Sequence, residues 1–205
     1  RTRIKAKVVI DATGNGDVAA AAGAQYQKGR EGDGFLSPMT LLFTAGGIDF
    51  DKVQEYLEKD SGFEEILKEG REEGYCVPER LGPGLRPEGE IVYFNGSGTR
   101  GFGNYDGSRI TDLSAAEILS RKQAVDSIKL FRDKNIPGFK FAYLVQVAPQ
   151  IGVRESRRII GDYILTAEDV VQGTDFKDVV ARRYGDLDVG FVAMKAMASP
   201  HDVPY

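Results

Sequence analysis

The sequence predicts an α+β fold in which a mixed or mostly antiparallel sheet is covered by helices. Short apolar runs such as 40–45 and 91–94 are rich in strand-forming residues and have the length of single strands. Longer charged segments, for example 50–59 and 114–134, repeat apolar residues at the spacing of a helix with one buried face. A hydrophobic content of 41% over 205 residues is that of an ordinary globular domain.

The first predicted element is a strand, a tight turn and a helix within residues 8–23. Residues 8–10 (VVI) are apolar and β-branched, and they predict a short buried strand. Gly14 and Gly16 follow in the turn, where a positive φ lets a ligand or another backbone come close. Small residues then favour a helix with Asp17 as its N-cap. Free N–H groups of the first helical turn would face the glycines, so this corner predicts a site for an anion or a nucleotide.

The glycine spacing leaves two alternatives open. Gly14, Gly16 and Ala19 satisfy the loose G-x-G-x-x-G/A pattern of dinucleotide-binding turns. The full pattern needs a second strand that ends in an acidic residue about 20 residues on. Glu31 and Asp33 are near that distance, but they lie in a polar, glycine-rich stretch with no strand before them. The corner is therefore either a phosphate-binding turn or a strand–turn–helix that packs tightly on its glycines.

The remaining elements are predicted from local patterns. They are a central strand at 40–45, solvated helices at 50–59 and 63–74, a loop at 78–90, a strand at 91–94 and a glycine-rich loop at 95–107. A capping box at 114–117 opens the longest helix, which ends near Lys134. Strands follow at 139–148 and 159–165, and a capped helix begins at Thr166. Segment 176–183 fits a helix or a strand, and 199–205 is extended.

Composition excludes several classes of site. A net charge of −4 argues against non-specific binding to nucleic acid. No apolar run approaches the roughly 18 residues of a membrane span. The single cysteine, Cys76, excludes an internal disulfide and a multi-cysteine metal site, and the single histidine, His201, excludes a histidine-rich one. We therefore expect a cytoplasmic protein without a metal, whose partners are small molecules.

Three arginines and a glutamate stand beside apolar segments at 151–158 (IGVRESRR). Such charges must be solvated, paired or in contact with a ligand. The three arginines are thus either candidate binding residues or members of an ion-pair network that joins two parts of the protein. Arg100, in the glycine-rich loop, is either a ligand for an anionic substrate or a surface residue at a hairpin tip.

Several motifs in order resemble one known family. They are VVIDATGNGDVAAAAGA, PMTLLFTAGGID, VYFNGSGTR, DLSAAEILSRKQ, GVRESRRIIGDYILT and HDVPY. Together they resemble FAD-dependent oxidoreductases of the flavin-reductase-like type. In that family the IDATGDGDVA segment is the later strand and turn by which the chain re-enters the flavin-binding domain. Asn15 stands where the family usually has Asp, which weakens any role for a carboxylate at that position.

The resemblance implies a cofactor and a division of the chain. Residues 1–24 would be a re-entrant segment of an FAD-binding domain and residues 25–205 a substrate or cap domain. The given sequence would then be a fragment, partnered by the rest of its own FAD-binding domain. Hydride would pass between the flavin and a small, possibly anionic substrate. The alternative is a non-catalytic binding or structural module without a cofactor.

The resemblance also assigns site residues. Thr13, Gly14, Gly16 and Asp17 would border the pyrophosphate and ribityl region of FAD. Arg100, Arg154 and Arg157 would contact the substrate or the flavin edge, of which Arg154 and Arg157 belong to the family's RESR signature. No catalytic residue is assigned, and Tyr105, His201 and Arg157 remain candidate proton donors.

Overall fold

The computed structural model describes residues 2–84, 91–183, 187–189, 192–194 and 201–204. The helices are α1 (Asp17–Ala21), α2 (Phe50–Leu57), α3 (Glu64–Glu72), α4 (Ile110–Asp133) and α5 (Ala167–Gln172). The strands are β1 (Tyr26–Lys28), β2 (Thr40–Gly46), β3 (Gly82–Pro83), β4 (Val92–Gly98), β5 (Tyr143–Val147), β6 (Arg157–Ile159), β7 (Val179–Arg183), β8 (Leu187–Val189), β9 (Val192–Met194) and β10 (His201–Pro204). Every strand pair in these ranges is antiparallel, so the α+β prediction is confirmed.

The chain divides into two compact units. The central unit is Gly29–Ser156, and the terminal unit comprises Arg1–Lys28 together with Arg157–Tyr205. The division into a re-entrant segment at 1–24 and a substrate domain at 25–205 concerns function and stays a prediction.

The central unit contains a four-stranded sheet in the order β3-β4-β2-β5. Burial alternates along β2 and β4, as the two-residue period of a strand requires, with Phe43 and Phe94 inside and Leu42 and Tyr93 outside. Phe43 lies opposite Phe94, and their rings stack with centroids 5.1 Å apart. Helix α4 contacts β2, β4 and β5, so the helix covers one face of the sheet.

Aromatic rings fill the core beside this sheet. Phe63 packs against Phe131 at 4.8 Å, and Phe131 packs against Phe139 at 4.6 Å between centroids. Phe63 is fully buried and has φ 55°, a left-handed conformation that is costly for a bulky side chain. Its ring contacts hold it there, because leaving that conformation would remove Phe63 from the core.

Helix α4 begins earlier than predicted. Its N-cap is Arg109, so the predicted capping box at 114–117 lies inside the helix and is wrong. The carboxylate of Glu117 is used elsewhere: it accepts the Ile151 N–H at 2.6 Å and pairs with Arg121. The predicted end near Lys134 is confirmed, since α4 ends at Asp133.

Other boundaries also shift. Strand β4 continues to Gly98, so the glycine-rich loop is shorter than the predicted 95–107. The strand predicted at 159–165 is wrong beyond its first residue, because β6 is Arg157–Ile159. Segment 176–183 contains the strand β7. Residues 85–90 of the predicted loop, together with 195–200 and Tyr205 near the chain end, lie outside the described residues.

In the terminal unit, β1 pairs with β6 and α1 follows the glycine turn. The prediction of a buried strand at 8–10 is wrong for the described residues. Val8, Val9 and Ile10 form no strand there and are 76%, 69% and 85% exposed. Their pattern favours a strand, but burial also needs a partner, and none of the described strands pairs with them.

None of the helices in the described ranges is long and apolar enough to cross a membrane. The expectation of a cytoplasmic protein stays a prediction.

Candidate functional site

The glycine turn is organised by Asp11. Its Oδ1 accepts hydrogen bonds from the backbone N–H of Thr13 at 2.9 Å and from the Thr13 hydroxyl at 2.7 Å. Its Oδ2 accepts the Ala19 N–H at 2.8 Å, which ties the turn to helix α1. These bonds, first the one from Ala19 and then those from Thr13, lower the pKa of Asp11. Asp11 is therefore a charged residue whose hydrogen bonds hold the turn in shape.

The hydrogen bonds within the turn show that two expectations about the helix N-terminus were wrong. The first helical N–H groups are not all free for a ligand, because the Thr13 hydroxyl accepts the Asp17 N–H at 2.9 Å and Asp11 accepts that of Ala19. Asp17 is not the N-cap; that position is Gly16, with φ 63°. The Asp17 carboxylate turns to Arg157 instead.

The two glycines of the turn have different surroundings. Gly14 has φ 76°, and a side-chain carbon placed there would meet no atom within 4 Å. Gly16 has φ 63°, and a carbon there would lie 2.8 Å from Cδ1 of Ile159. Gly16 thus lets the turn pack on β6, whereas Gly14 leaves the backbone open to a ligand.

Arg157 reaches the same turn from β6. Its Nη1 donates to the Asn15 carbonyl at 3.1 Å and to Asp17 Oδ1 at 2.5 Å. Its guanidinium carbon lies 5.3 Å from the centre of the Tyr26 ring. The hydrogen bond to Asp17 is the main reason that the pKa of Arg157 is raised. The structure therefore brings Thr13, Gly14, Gly16, Asp17 and Arg157 together in the terminal unit.

The other predicted arginines lie in the central unit, at the end of the sheet where β2 begins. Thr40 pairs with Gly98 at the end of β4 on one side and with Gly152 on the other. Arg100 and Arg154 each follow these glycines by two residues. Since both neighbouring segments run antiparallel to β2, both arginines lie at this end of the sheet.

Hydrogen bonds join the residue next to each arginine to the segment just before β2. The buried hydroxyl of Thr99 accepts the Met39 N–H at 3.0 Å, and the Thr99 N–H donates to the Met39 carbonyl at 3.1 Å. On the other side, Glu155 accepts a hydrogen bond from the Ser37 hydroxyl at 3.0 Å. Arginine side chains can bind carboxylates through parallel hydrogen bonds, so Arg100 and Arg154 at this end of the sheet are candidate ligands for an anion.

Sequence reasoning missed Asn104, which stabilises this edge. Its side-chain oxygen accepts the Leu36 N–H at 2.8 Å, and its amide donates to the Gly34 carbonyl at 3.1 Å. The segment after β4 is thus tied to the segment before β2. Asp11 was missed in the same way; its only local signal is the Asp-x-Thr spacing, which is common in turns that bind their own backbone.

Comparison with known proteins identifies the family. A family model described as FAD dependent oxidoreductase matches residues 1–198. The chain belongs to the FAD dependent oxidoreductase family. FAD is the cofactor that membership of this family implies. No curated protein and no solved structure matches the chain significantly.

The glycine turn of this family member fits FAD on two observations. The space in front of Gly14 is open, so a phosphate or ribityl group can approach its backbone. Arg157, which is hydrogen-bonded to Asn15 and Asp17, places a positively charged donor beside the turn. The turn therefore offers an open backbone and a charged donor, although the helix N-terminus offers fewer free N–H groups than predicted.

The three candidate proton donors lie in different parts of the chain. Tyr105 is half-buried against a small apolar cluster around Met39 and Leu41. Arg157 lies at the turn, and the side chain of His201 is outside the described residues. Within the ranges described, no three His, Cys, Asp or Glu side chains come close enough to hold a metal ion.

Proposed function

We propose that this chain provides the substrate-binding domain and part of the flavin site of an oxidoreductase that transfers hydride between FAD and a small molecule. The open backbone at Gly14, inside a turn braced by Asp11, is the observation that carries the proposal. Bound FAD supplies the hydride chemistry, while the protein orients the substrate and tunes charge. Thr13, Gly14, Gly16 and Asp17 border the pyrophosphate and ribityl region.

The substrate in this proposal is anionic. Arg100 and Arg154 lie at one end of the sheet of the central unit, next to Thr99 and Glu155, which are hydrogen-bonded to Met39 and Ser37. A carboxylate can accept two parallel hydrogen bonds from a guanidinium, so either arginine gives both charge and orientation. The family resemblance implies Arg157 as a third substrate-binding residue.

The chain's partner in this proposal is the remainder of an FAD-binding domain. Val8, Val9 and Ile10 are apolar and exposed, and they belong to none of the described helices or strands. Such a segment is suited to pair with a neighbouring strand and to lose its contact with water. We propose that it becomes a strand of the flavin-binding sheet, as the family resemblance implies.

Reconstitution with FAD tests the proposal. The chain, and the longest reading frame that contains it, are each purified, mixed with FAD and freed of excess cofactor. Retained absorbance at about 450 nm reports a bound flavin. We expect the longer protein to retain FAD, and to reduce it with an anionic substrate from a panel of carboxylic acids and matched neutral amides.

The rival function is a binding or structural module without a cofactor. It is favoured by the N–H groups of Asp17 and Ala19, which are already bonded within the turn. Failure of the longer protein to bind FAD would support this rival. If the longer protein retains FAD but reduces it equally fast with acids and amides, the flavin site stands. Only the proposal that the substrate is anionic would then be contradicted.

A further inference from the structure

Asp17 poses an electrostatic problem for a site that receives FAD. Its carboxylate lies at the first position of α1, beside the turn that would border a pyrophosphate. Two negative groups at close range repel each other, more so when water is excluded. The structure offers a counter-charge, because Arg157 Nη1 lies 2.5 Å from Asp17 Oδ1.

Arg157 also holds the shape of the turn. The same nitrogen that binds Asp17 donates to the Asn15 carbonyl at 3.1 Å, between the two glycines. Two residues along β6, Ile159 fills the space where a side chain of Gly16 would lie. Strand β6 therefore contacts the turn through a hydrogen-bonded cation and through an apolar contact.

The surroundings of Arg157 favour a guanidinium over an ammonium. Its side chain is only 15% exposed, and its planar group lies over the Tyr26 ring of the paired strand β1. A guanidinium can stack on a ring while it donates in its plane to two acceptors, which a lysine cannot do. The contact with Tyr26 also ties the position of Arg157 to the β1–β6 pairing.

We propose that Arg157 is a positioning residue for the cofactor: it fixes the turn through Asn15 and cancels the charge of Asp17, instead of binding the substrate. This inference rests on the proposed function, since it concerns the same turn. Arg157 acts through its neighbours, so its loss changes the affinity for FAD and leaves substrate recognition to Arg100 and Arg154.

Fluorescence titration with FAD tests the inference in the FAD-binding protein. We expect Arg157→Met to weaken FAD binding about tenfold or more, and Arg157→Lys to recover only part of the loss. Arg158→Met is the matched control, because it removes the adjacent arginine, whose side chain points to the other face of the strand. The Michaelis constant for the substrate, measured at saturating FAD, should stay unchanged in Arg157→Met.

A double-mutant cycle separates positioning from direct contact. If Arg157 acts by neutralising Asp17, Arg157→Met should weaken FAD binding less in an Asp17→Asn background than in the original protein. Equal effects in both backgrounds would overturn the charge-cancelling role. An unchanged affinity for FAD with a raised Michaelis constant would make Arg157 a substrate ligand, as the resemblance implies.

Hydrogen exchange in the cofactor-free chain keeps the inference testable if FAD does not bind. The Ala19 amide is protected by Asp11 only while the turn keeps its shape. We expect Arg157→Met to speed exchange of this amide about tenfold, and Arg158→Met to leave it unchanged. Equal exchange in Arg157→Met and the original chain would overturn the positioning role, whereas absent FAD binding alone would count only against the proposed function.

Discussion

Single residues give the glycine turn its two different surfaces. Gly14 and Gly16 share a left-handed backbone, yet only Gly16 is packed, against Ile159. Asp11 and Thr13 form hydrogen bonds inside the turn, whereas a side-chain carbon at Gly14 would meet no atom within 4 Å. Replacing one of these glycines with alanine can therefore change the stability of the fold, the affinity for a ligand, or both.

Gly14→Ala should weaken FAD binding more than it destabilises the protein. A β-carbon at φ 76° costs about 1–2 kcal/mol of folding free energy, and it also enters the space proposed for the cofactor. Gly23→Ala is the control, because Gly23 has φ 93° and equally open surroundings but lies at the other end of α1. Urea unfolding and FAD titration of both variants make the comparison; equal losses of FAD affinity would contradict it.

The capping box of α5 predicts a pH effect. Hydrogen bonds from Thr166, and to a lesser extent from Tyr163, lower the pKa of Asp169 from 3.8 to about 2. Because the folded-state pKa lies below the unfolded value, the stabilisation is complete above about pH 4 and is lost as the pH falls through 2.

Carbon NMR titration of the Asp169 carboxyl measures this pKa directly. We expect Thr166→Val to raise it towards 3.8, and Tyr163→Phe to raise it less, since the bond from Thr166 is the larger cause. The opposite order would show that Tyr163, and not the helix cap, controls the carboxylate.

The contact between Asp17 and Arg157 could not be predicted from sequence. Both residues were identified as candidates, but 140 positions separate them, and no local pattern reports a pairing at that distance. The sequence likewise placed Asp17 as a helix cap, which is its usual role when no cation is near. The structure assigns the carboxylate to a partner that only the fold brings close.

At the scale of elements, the sequence pattern predicted the positions of those helices and strands that depend mainly on local interactions. Helices α2 and α3, strand β2 and the cap of α5 lie where the pattern indicated. Two failures have non-local causes. Glu117 has the spacing of a capping residue but binds the backbone of Ile151, and residues 8–10 have the pattern of a buried strand but no strand beside them in the described chain.

The contact between α3 and α4 at Leu130 depends on Gly70. A β-carbon at Gly70 would lie 2.4 Å from Cδ2 of Leu130, which is fully buried. Gly70→Ala should therefore cost about 1–3 kcal/mol through overpacking, although alanine favours a helix over glycine by about 1 kcal/mol.

Urea unfolding of three variants checks the cause of this loss. Leu130→Ala alone should cost about 2–5 kcal/mol, because it leaves a cavity. In that background Gly70→Ala should be neutral or stabilising, since its methyl group has space. The same loss in both backgrounds would mean that Gly70 is required for its backbone and not for its contact with Leu130.

At the scale of the whole molecule, the central unit contains the main cores. Both clusters of buried apolar residues lie between residues 39 and 151. The four-stranded sheet and helices α2, α3 and α4 belong to the same unit. The α+β class was predictable because these elements carry strong local patterns, whereas the pairing of β1 with β6 joins stretches that no pattern connects.

The central unit should fold by itself. A polypeptide of residues 29–156 should unfold cooperatively in urea, with a slope of about 1–3 kcal/mol per molar denaturant. Circular dichroism and tyrosine fluorescence should report the same midpoint. Separate midpoints, or a gradual loss of signal without a transition, would show that the terminal unit is needed to form the core.

The β1–β6 pairing has a consequence for the order of assembly during translation. Lys28 leaves the ribosome about 130 residues before its strand partner Arg157, a delay on the order of 10 s at ordinary elongation rates. The nascent central unit can meanwhile condense. The β1–β6 pair beside the glycine turn is then completed late in synthesis, and a stop codon directly after Ser156 would leave the central unit whole but without this pair.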